Sequence, residues 1–218
     1  MAEPNLSIIV PGPCNAKCGF CFWKLPPKAD KNYIQDLKKT LDSMPEDFHQ
    51  ISLTGGEPTL SYLLPEILKV IDRQKYNKVV LTTNGTALQK FLLNDKDWEN
   101  FPNHINISRH HFDDAINAEI FNSKSIIDTD KLQSVIQIAH YNNIDVTLNC
   151  VLTKHLTYHD DILGFITYAK NVGPMLFVSE RNMETLNLLC KRKSLMVILL
   201  LVRASVQFAE PRCRELMA

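Results

Sequence analysis

Three cysteines within eight residues, Cys14, Cys18 and Cys21, are the most chemically loaded feature of this chain. They lie in the segment Cys14-Asn15-Ala16-Lys17-Cys18-Gly19-Phe20-Cys21, with the spacing C-x-x-x-C-x-x-C. A tight loop of that length brings three sulfurs toward one centre, and thiolates are ligands of zinc and of iron–sulfur clusters. Three is one short of the usual four. Either a remote residue such as Cys150 or His110 completes the set, or one metal position stays open for a ligand, the mark of a catalytic centre. A structural zinc clip with a distant fourth ligand is the plain alternative.

Other residues of chemical interest gather at similar places. Glycine is scarce, seven in 218 residues, yet Gly12, Gly19, Gly55, Gly56 and Gly85 fall in three short segments near the start. Such clustering points to backbone freedom or close approach there, or to turns that end strands. Gly55-Gly56-Glu57-Pro58 and Thr82-Thr83-Asn84-Gly85 each follow a strand-like run. Arg109-His110-His111 is suited to an anionic substrate or a proton shuttle, or else to a solvated loop. Glu180-Arg181 is a similar charged pair, and Phe22-Trp23 flank the cysteine loop as a water shield or as core.

The elements that must position these residues are read from periodicity. Strands are predicted at Ser7–Val10, Gln50–Thr54, Lys78–Thr82, Ile105–Ser108, Val146–Leu152 and Met175–Val178. Helices are predicted from about Asp30 to Ser43, around Leu64–Ile71, around Leu88–Leu92 and over Asp113–Asn122. Another is expected after a cap at Thr129-Asp130, with Leu132, Val135, Ile136 and Ala139 on one face, and the last around Ile162–Ala169. Strands alternating with helices imply a parallel sheet with crossover helices, either an open doubly wound sheet or a curved barrel. On either plan ligands collect at the carboxyl ends of the strands. The cysteine loop, Gly55-Gly56-Glu57, Asn84 and Ser108 all fall at such ends and face one mouth, a coincidence that a zinc clip does not explain.

The cysteine spacing, with aromatic Phe20 just before the third cysteine, resembles the signature of the radical S-adenosylmethionine (SAM) enzymes. Gly55-Gly56-Glu57-Pro58 is similar to that family's second motif, and Thr82-Thr83-Asn84-Gly85 to a segment of its molybdenum-cofactor-biosynthesis-like branch. The resemblance implies an α/β fold, a partial (β/α)6 TIM-like barrel with parallel strands. It implies a 4Fe-4S cluster held by Cys14, Cys18 and Cys21, with the amino and carboxylate groups of S-adenosyl-L-methionine on the fourth iron. Reductive cleavage would then give a 5′-deoxyadenosyl radical for hydrogen abstraction. Carried over by position, Phe20 sits beside cluster and adenine, and Gly55, Gly56 and Glu57 meet the methionine amino group. Asn84 belongs to the third motif. Ser108 takes a carboxylate or ribose contact, and Asn149 resembles a ribose-contacting position. The implied partners are an external electron donor, flavodoxin- or ferredoxin-like, and a small-molecule or protein substrate. An activase acting on a glycine of a partner enzyme fits the same motifs.

At the scale of the whole chain, 24 Lys+Arg balance 24 Asp+Glu, which excludes a global basic field and makes nucleic acid an unexpected partner. A hydrophobic share of 45% excludes disorder, and six cysteines are too few for a disulfide scaffold. The longest apolar run, Leu195–Val202, falls far short of the roughly twenty residues of a membrane span. Without a signal-like N-terminus, the expected location is the reducing cytoplasm, where clustered cysteines bind metal or do chemistry. Residues 1–183 are expected to form the core domain and 184–218 a C-terminal tail without a readable period. Only Cys150, Cys190 and Cys213 follow the first three cysteines, so an auxiliary cluster domain is not expected.

Overall fold

The structure, a computed structural model, describes residues 5–21, 28–94, 100–156, 159–173 and 175–179. Among the described residues six strands are joined by six α-helices, two of them between β4 and β5: β1 (Asn5–Val10), α1 (Tyr33–Asp42), β2 (Gln50–Gly55), α2 (Leu64–Val70), β3 (Lys78–Thr83), α3 (Leu88–Asn94), β4 (His104–Ser108), α4 (Asp114–Phe121), α5 (Thr129–Tyr141), β5 (Asp145–Val151), α6 (His159–Val172) and β6 (Met175–Ser179). All neighbouring strands pair in parallel, in the order β1-β2-β3-β4-β5-β6. A doubly wound sheet reverses its strand order near the middle. This one never does, so crossovers of one hand put every helix on the same side. The result is an open, partial (β/α)6 barrel, and of the two parallel plans only the barrel stands.

The strands show why one side is covered and the other left open. Ile8, Val10, Ile51, Leu53, Val79, Leu81, Ile105, Ile107, Val146 and Leu148 point outward and are buried. They pack against Leu41, Leu64, Ile67, Leu88, Leu132, Val135 and Ala139 of the helices in one continuous core. Each such side chain contributes about 1.5–3 kcal/mol by leaving water. The alternate residues Ser7, Ser52, Thr54, Thr82, Asn106, Ser108, Thr147 and Asn149 form the inner face. Fully covered parallel sheets read as unbroken apolar runs. Here the alternation, clearest in His104-Ile105-Asn106-Ile107-Ser108, leaves a concave face that is mostly polar, with Ile9, Val80 and Val151 as its apolar positions.

Local details depart from the sequence reading in small ways. Helix α1 starts at Tyr33 rather than near Asp30, because Asp30 accepts the N–H of Asn32 on its carboxylate at 2.8 Å and holds residues 30–32 in a turn before the helix. Helix α5 is capped by Asp128, not by Thr129-Asp130: Asp128 is extended and its Oδ1 accepts the N–H of Lys131 at 2.9 Å. A 3₁₀ turn over Pro58–Leu60, absent from the sequence reading, is capped by Glu57. The expected features at Phe22-Trp23, Glu180-Arg181, Cys190, Leu195–Val202, Cys213 and the tail 184–218 lie outside the described residues.

Candidate functional site

The cysteine loop leaves the carboxyl end of β1 and is pinned from below before the first cysteine arrives. The hydroxyl of Ser61 donates to the carbonyl of Pro11, and Tyr33 donates to the carbonyl of Ile9 at 2.8 Å. The loop then lies so close to the end of β2 that side chains there are impossible. A Cβ on Gly55, whose φ is +151°, would come within 2.5 Å of the Val10 carbonyl oxygen. One on Gly56 would come within 2.9 Å of the Pro13 carbonyl oxygen. The two glycines therefore exist, in part, to let the strand end pass under the cysteine loop. The N–H of Glu57 completes the join by donating to the Pro13 carbonyl at 3.0 Å.

Glu57 is 2% exposed, and its carboxylate is a bracket between strand ends. One oxygen accepts from the Thr59 N–H at 3.1 Å, the Thr59 hydroxyl at 2.6 Å and the Thr83 hydroxyl at 2.5 Å. The other accepts from the Asn84 N–H at 2.6 Å. Burial pushes its carboxyl pKa up, while the hydrogen bonds from Thr59, Thr83 and Asn84 pull against that. Asn84 is also buried and gives its amide to the protein: Nδ2 donates to Asn15 Oδ1 at 2.9 Å and Oδ1 accepts from the Thr86 N–H at 3.0 Å. Asn15, inside the cysteine motif, escaped the sequence reading. Its Nδ2 donates to Thr86 Oγ1 at 2.9 Å and to Ser125 Oγ at 3.0 Å, so one amide ties the cysteine loop to two others. Only its position between two ligand-type cysteines hinted at this.

Within the loop, the N–H of Cys21 donates to the Cys18 carbonyl at 3.1 Å and Cys14 Sγ accepts the Ala16 N–H at 3.4 Å. Burial, reinforced by the charges of Cys21 and Cys14, pushes the Cys18 thiol up to about 11. Cys14 is also raised, by burial first and then by Glu57 and Cys21, against the Ala16 N–H. In both, part of the rise comes from the charge of a neighbouring cysteine. Among the described residues, however, no three His, Cys, Asp or Glu side chains converge on a position for a single metal ion. Three thiolates are nonetheless a donor set that iron–sulfur clusters use, as zinc does. Cys150 does not serve as a remote ligand: it is wholly buried on the helix side of β5 with Leu152, Leu156, Phe165 and Ile166.

Farther round the mouth, Ser108 ends β4 and pairs in register with Asn149 of β5. Both are half-buried on the inner face. The Oδ1 of Asn149 is sealed from solvent and has no hydrogen-bond partner among the described residues. An orphaned acceptor of that kind is costly unless a bound group satisfies it. Phe20 meets the His110 ring edge-on at 5.0 Å. The cysteine loop, Gly55-Gly56-Glu57, Asn84, Ser108 and Asn149 thus occupy the carboxyl ends of five consecutive strands.

Arg109-His110-His111 is neither an anion site nor a solvated loop, because all three residues are buried. The Arg109 guanidinium donates to the carbonyls of His111 at 2.8 Å, Ile127 at 3.1 Å and Phe112 at 3.1 Å. It pairs with Asp114 and lies over the Tyr168 ring at 5.1 Å. Chemistry-type residues in a short run gave no hint that the fold would turn them inward.

The Radical SAM superfamily model matches residues 8–166. A GTP 3′,8-cyclase of Campylobacter jejuni subsp. doylei is 32% identical over 179 residues, covering 76% of this chain and 52% of that protein. An S-adenosylmethionine-dependent nucleotide dehydratase of Flammeovirga pacifica is 24% identical over 176 residues, covering 77% of this chain and 59% of that one. The chain therefore spans little more than half the length of these curated relatives. Streptococcus suis SuiB bound to S-adenosylmethionine superimposes with a TM-score of 0.59 at 20% identity, over 82% of this chain and 39% of SuiB, a likeness of fold. With the motif-bearing strand ends at one mouth and the family match across most of the described barrel, this chain belongs to the Radical SAM superfamily.

Proposed function

We propose that residues 1–183 are the core of a radical enzyme that cleaves S-adenosyl-L-methionine reductively and abstracts hydrogen from a small, hydrogen-bonding substrate. The family's cofactors are a 4Fe-4S cluster and S-adenosylmethionine, and the residues at the mouth fit both. Cys14, Cys18 and Cys21 would hold three irons. The backbone at Gly55-Gly56 would meet the methionine amino group, with Glu57 acting through its bracket to Thr83 and Asn84. Phe20 would border the adenine, and Ser108 and Asn149 would take the ribose or carboxylate, which supplies the partner that Asn149 Oδ1 lacks. When bound, the pair supplies a one-electron cleavage that yields methionine and a 5′-deoxyadenosyl radical.

The observation that carries this reading is the gathering of all these motifs at the carboxyl ends of five adjacent strands, above a mostly polar concave face. Ser52, Thr54, Thr82, Asn106 and Thr147 line that face with neutral donors and acceptors, which suits a substrate recognised by hydrogen bonds. Relatives named for nucleotide substrates make the nucleotide class the first to test. A flavodoxin- or ferredoxin-like donor would supply the electron, in a reducing cytoplasm that keeps the three cysteines from forming disulfides.

Anaerobic reconstitution should give a brown protein with about four irons per chain. Adding S-adenosylmethionine and dithionite should release 5′-deoxyadenosine, measured by mass spectrometry. Cys18→Ala should abolish that release while leaving the far-ultraviolet circular dichroism unchanged. A colourless protein with a single zinc and no nucleoside product would overturn the reading.

A further inference from the structure

The cysteine loop has a backing that none of the roles above explains. His110, just beyond β4, is 3% exposed, and its imidazole lies between two aromatic rings. It stacks on Phe121 at 4.7 Å between centroids with 25° between planes, and meets Phe20 edge-on at 5.0 Å and 89°. The ring is oriented from the sheet side: Nδ1 accepts the N–H of Val151 at 3.1 Å, while the backbone N–H of His110 donates to Asn117 Oδ1 at 2.9 Å. Accepting at Nδ1 leaves the proton of the neutral imidazole on Nε2. Phe121, the last residue of α4, then reaches the loop itself. Its carbonyl accepts the N–H of Lys17 at 2.9 Å and lies 4.0 Å from Cys18 Sγ. The imidazole therefore supports the loop on both sides of Cys18, directly through Phe20 and indirectly through Phe121.

We propose that His110 is a positioning residue for the cysteine loop, a wedge whose flat ring fixes where Phe20, Cys18 and Cys21 stand. It acts by shape, not by charge or metal ligation. Histidine alone meets both demands of the site. Phenylalanine would keep the stack but leave the Val151 N–H without its acceptor. Asparagine would keep an acceptor but remove the ring. The inference rests on reading the loop as the seat of the cluster, but a ring that holds a loop does so without metal.

The test is site-resolved alkylation of the iron-free full chain with iodoacetamide, read by mass spectrometry. Cys150, wholly buried in its own apolar cluster, reports opening of the whole domain. His110→Asn should raise labelling of Cys18 and Cys21 about fivefold relative to Cys150. His110→Phe should stay within about twofold of the parent while melting at a lower temperature. Unchanged labelling in His110→Asn, or acceleration of Cys150 in step with the loop thiols, overturns the proposal. Should His110→Asn fail to fold, Phe121→Leu removes the stacking partner and must give the same preferential labelling, or the proposal falls.

A second measurement follows the cluster's electron paramagnetic resonance as S-adenosylmethionine is added to the reconstituted protein. His110→Asn should need more of it to change the signal, and His110→Phe should not; equal requirements refute the positioning role. If the parent forms no cluster, the functional reading fails, and labelling alone decides the role of His110.

Discussion

Glu57 and Arg109 are buried charges that hold different parts of the mouth, and their replacement separates bracing from catalysis. The Glu57 carboxylate receives four donors from Thr59, Thr83 and Asn84. In Glu57→Gln one oxygen can still face the three donors of Thr59 and Thr83, but the new amide group opposes the Asn84 N–H. We expect a loss of about 1–3 kcal/mol in urea denaturation for Gln, and a larger loss for Ala, which orphans all four donors. Bound iron should fall in proportion to that loss, because Glu57 reaches the cysteine loop through its own N–H on Pro13. Iron retained in full by a strongly destabilised Glu57→Ala would show that the bracket does not shape the loop. These bonds belong to the folded mouth, so the sequence motif could announce the residue but not its four partners.

At the scale of elements, Arg109 joins the end of β4 to the starts of α4 and α5 and to the side of α6. Its donors satisfy the carbonyls of His111, Phe112 and Ile127, and Tyr168 of α6 lies under its guanidinium. Arg109→Leu should cost about 3 kcal/mol or more, because three carbonyls lose their partner in a buried place. Arg109→Lys should recover only part, since an ammonium cannot present the planar fork that reaches acceptors on several sides. Equal stability of Lys and Arg by urea denaturation would count against the fork. The elements themselves were legible, because alternating strands and 3.6-residue helical faces follow from local periodicity. What periodicity could not convey was that Arg109-His110-His111 turns inward, since that depends on which helix starts happen to meet the end of β4. Asn15 was hidden for the same reason: its partners Asn84, Thr86 and Ser125 are remote in sequence.

For the molecule as a whole, the mostly polar inner face carries a pH dependence. His104 sits at its foot, bonded through Nε2 to Asn106 at 3.1 Å and to Thr147 at 2.9 Å. Burial, with Lys78 adding repulsion, holds its pKa below the ordinary histidine value, and burial does the same to His111. A lowered folded pKa means that the unfolded chain takes up the proton first. The stabilisation is present above the unfolded value of about 6.5 and is lost as pH falls through it toward the folded value. Melting temperature should therefore drop between about pH 7.5 and 5.5, and His104→Asn should flatten the drop. An unchanged slope in that variant would exclude His104 as a cause. Among the described residues no helix is long and apolar enough to cross a membrane. The partial barrel was legible from the family-like motifs, whereas alternation of strands and helices alone left two parallel plans open until the strand order decided between them. Asn15 carries a last implication for how such a chain can change. Because one amide spans the segments after β1, β3 and α4, a residue gained or deleted in any of the three would drag the other two, so their lengths must evolve as a set.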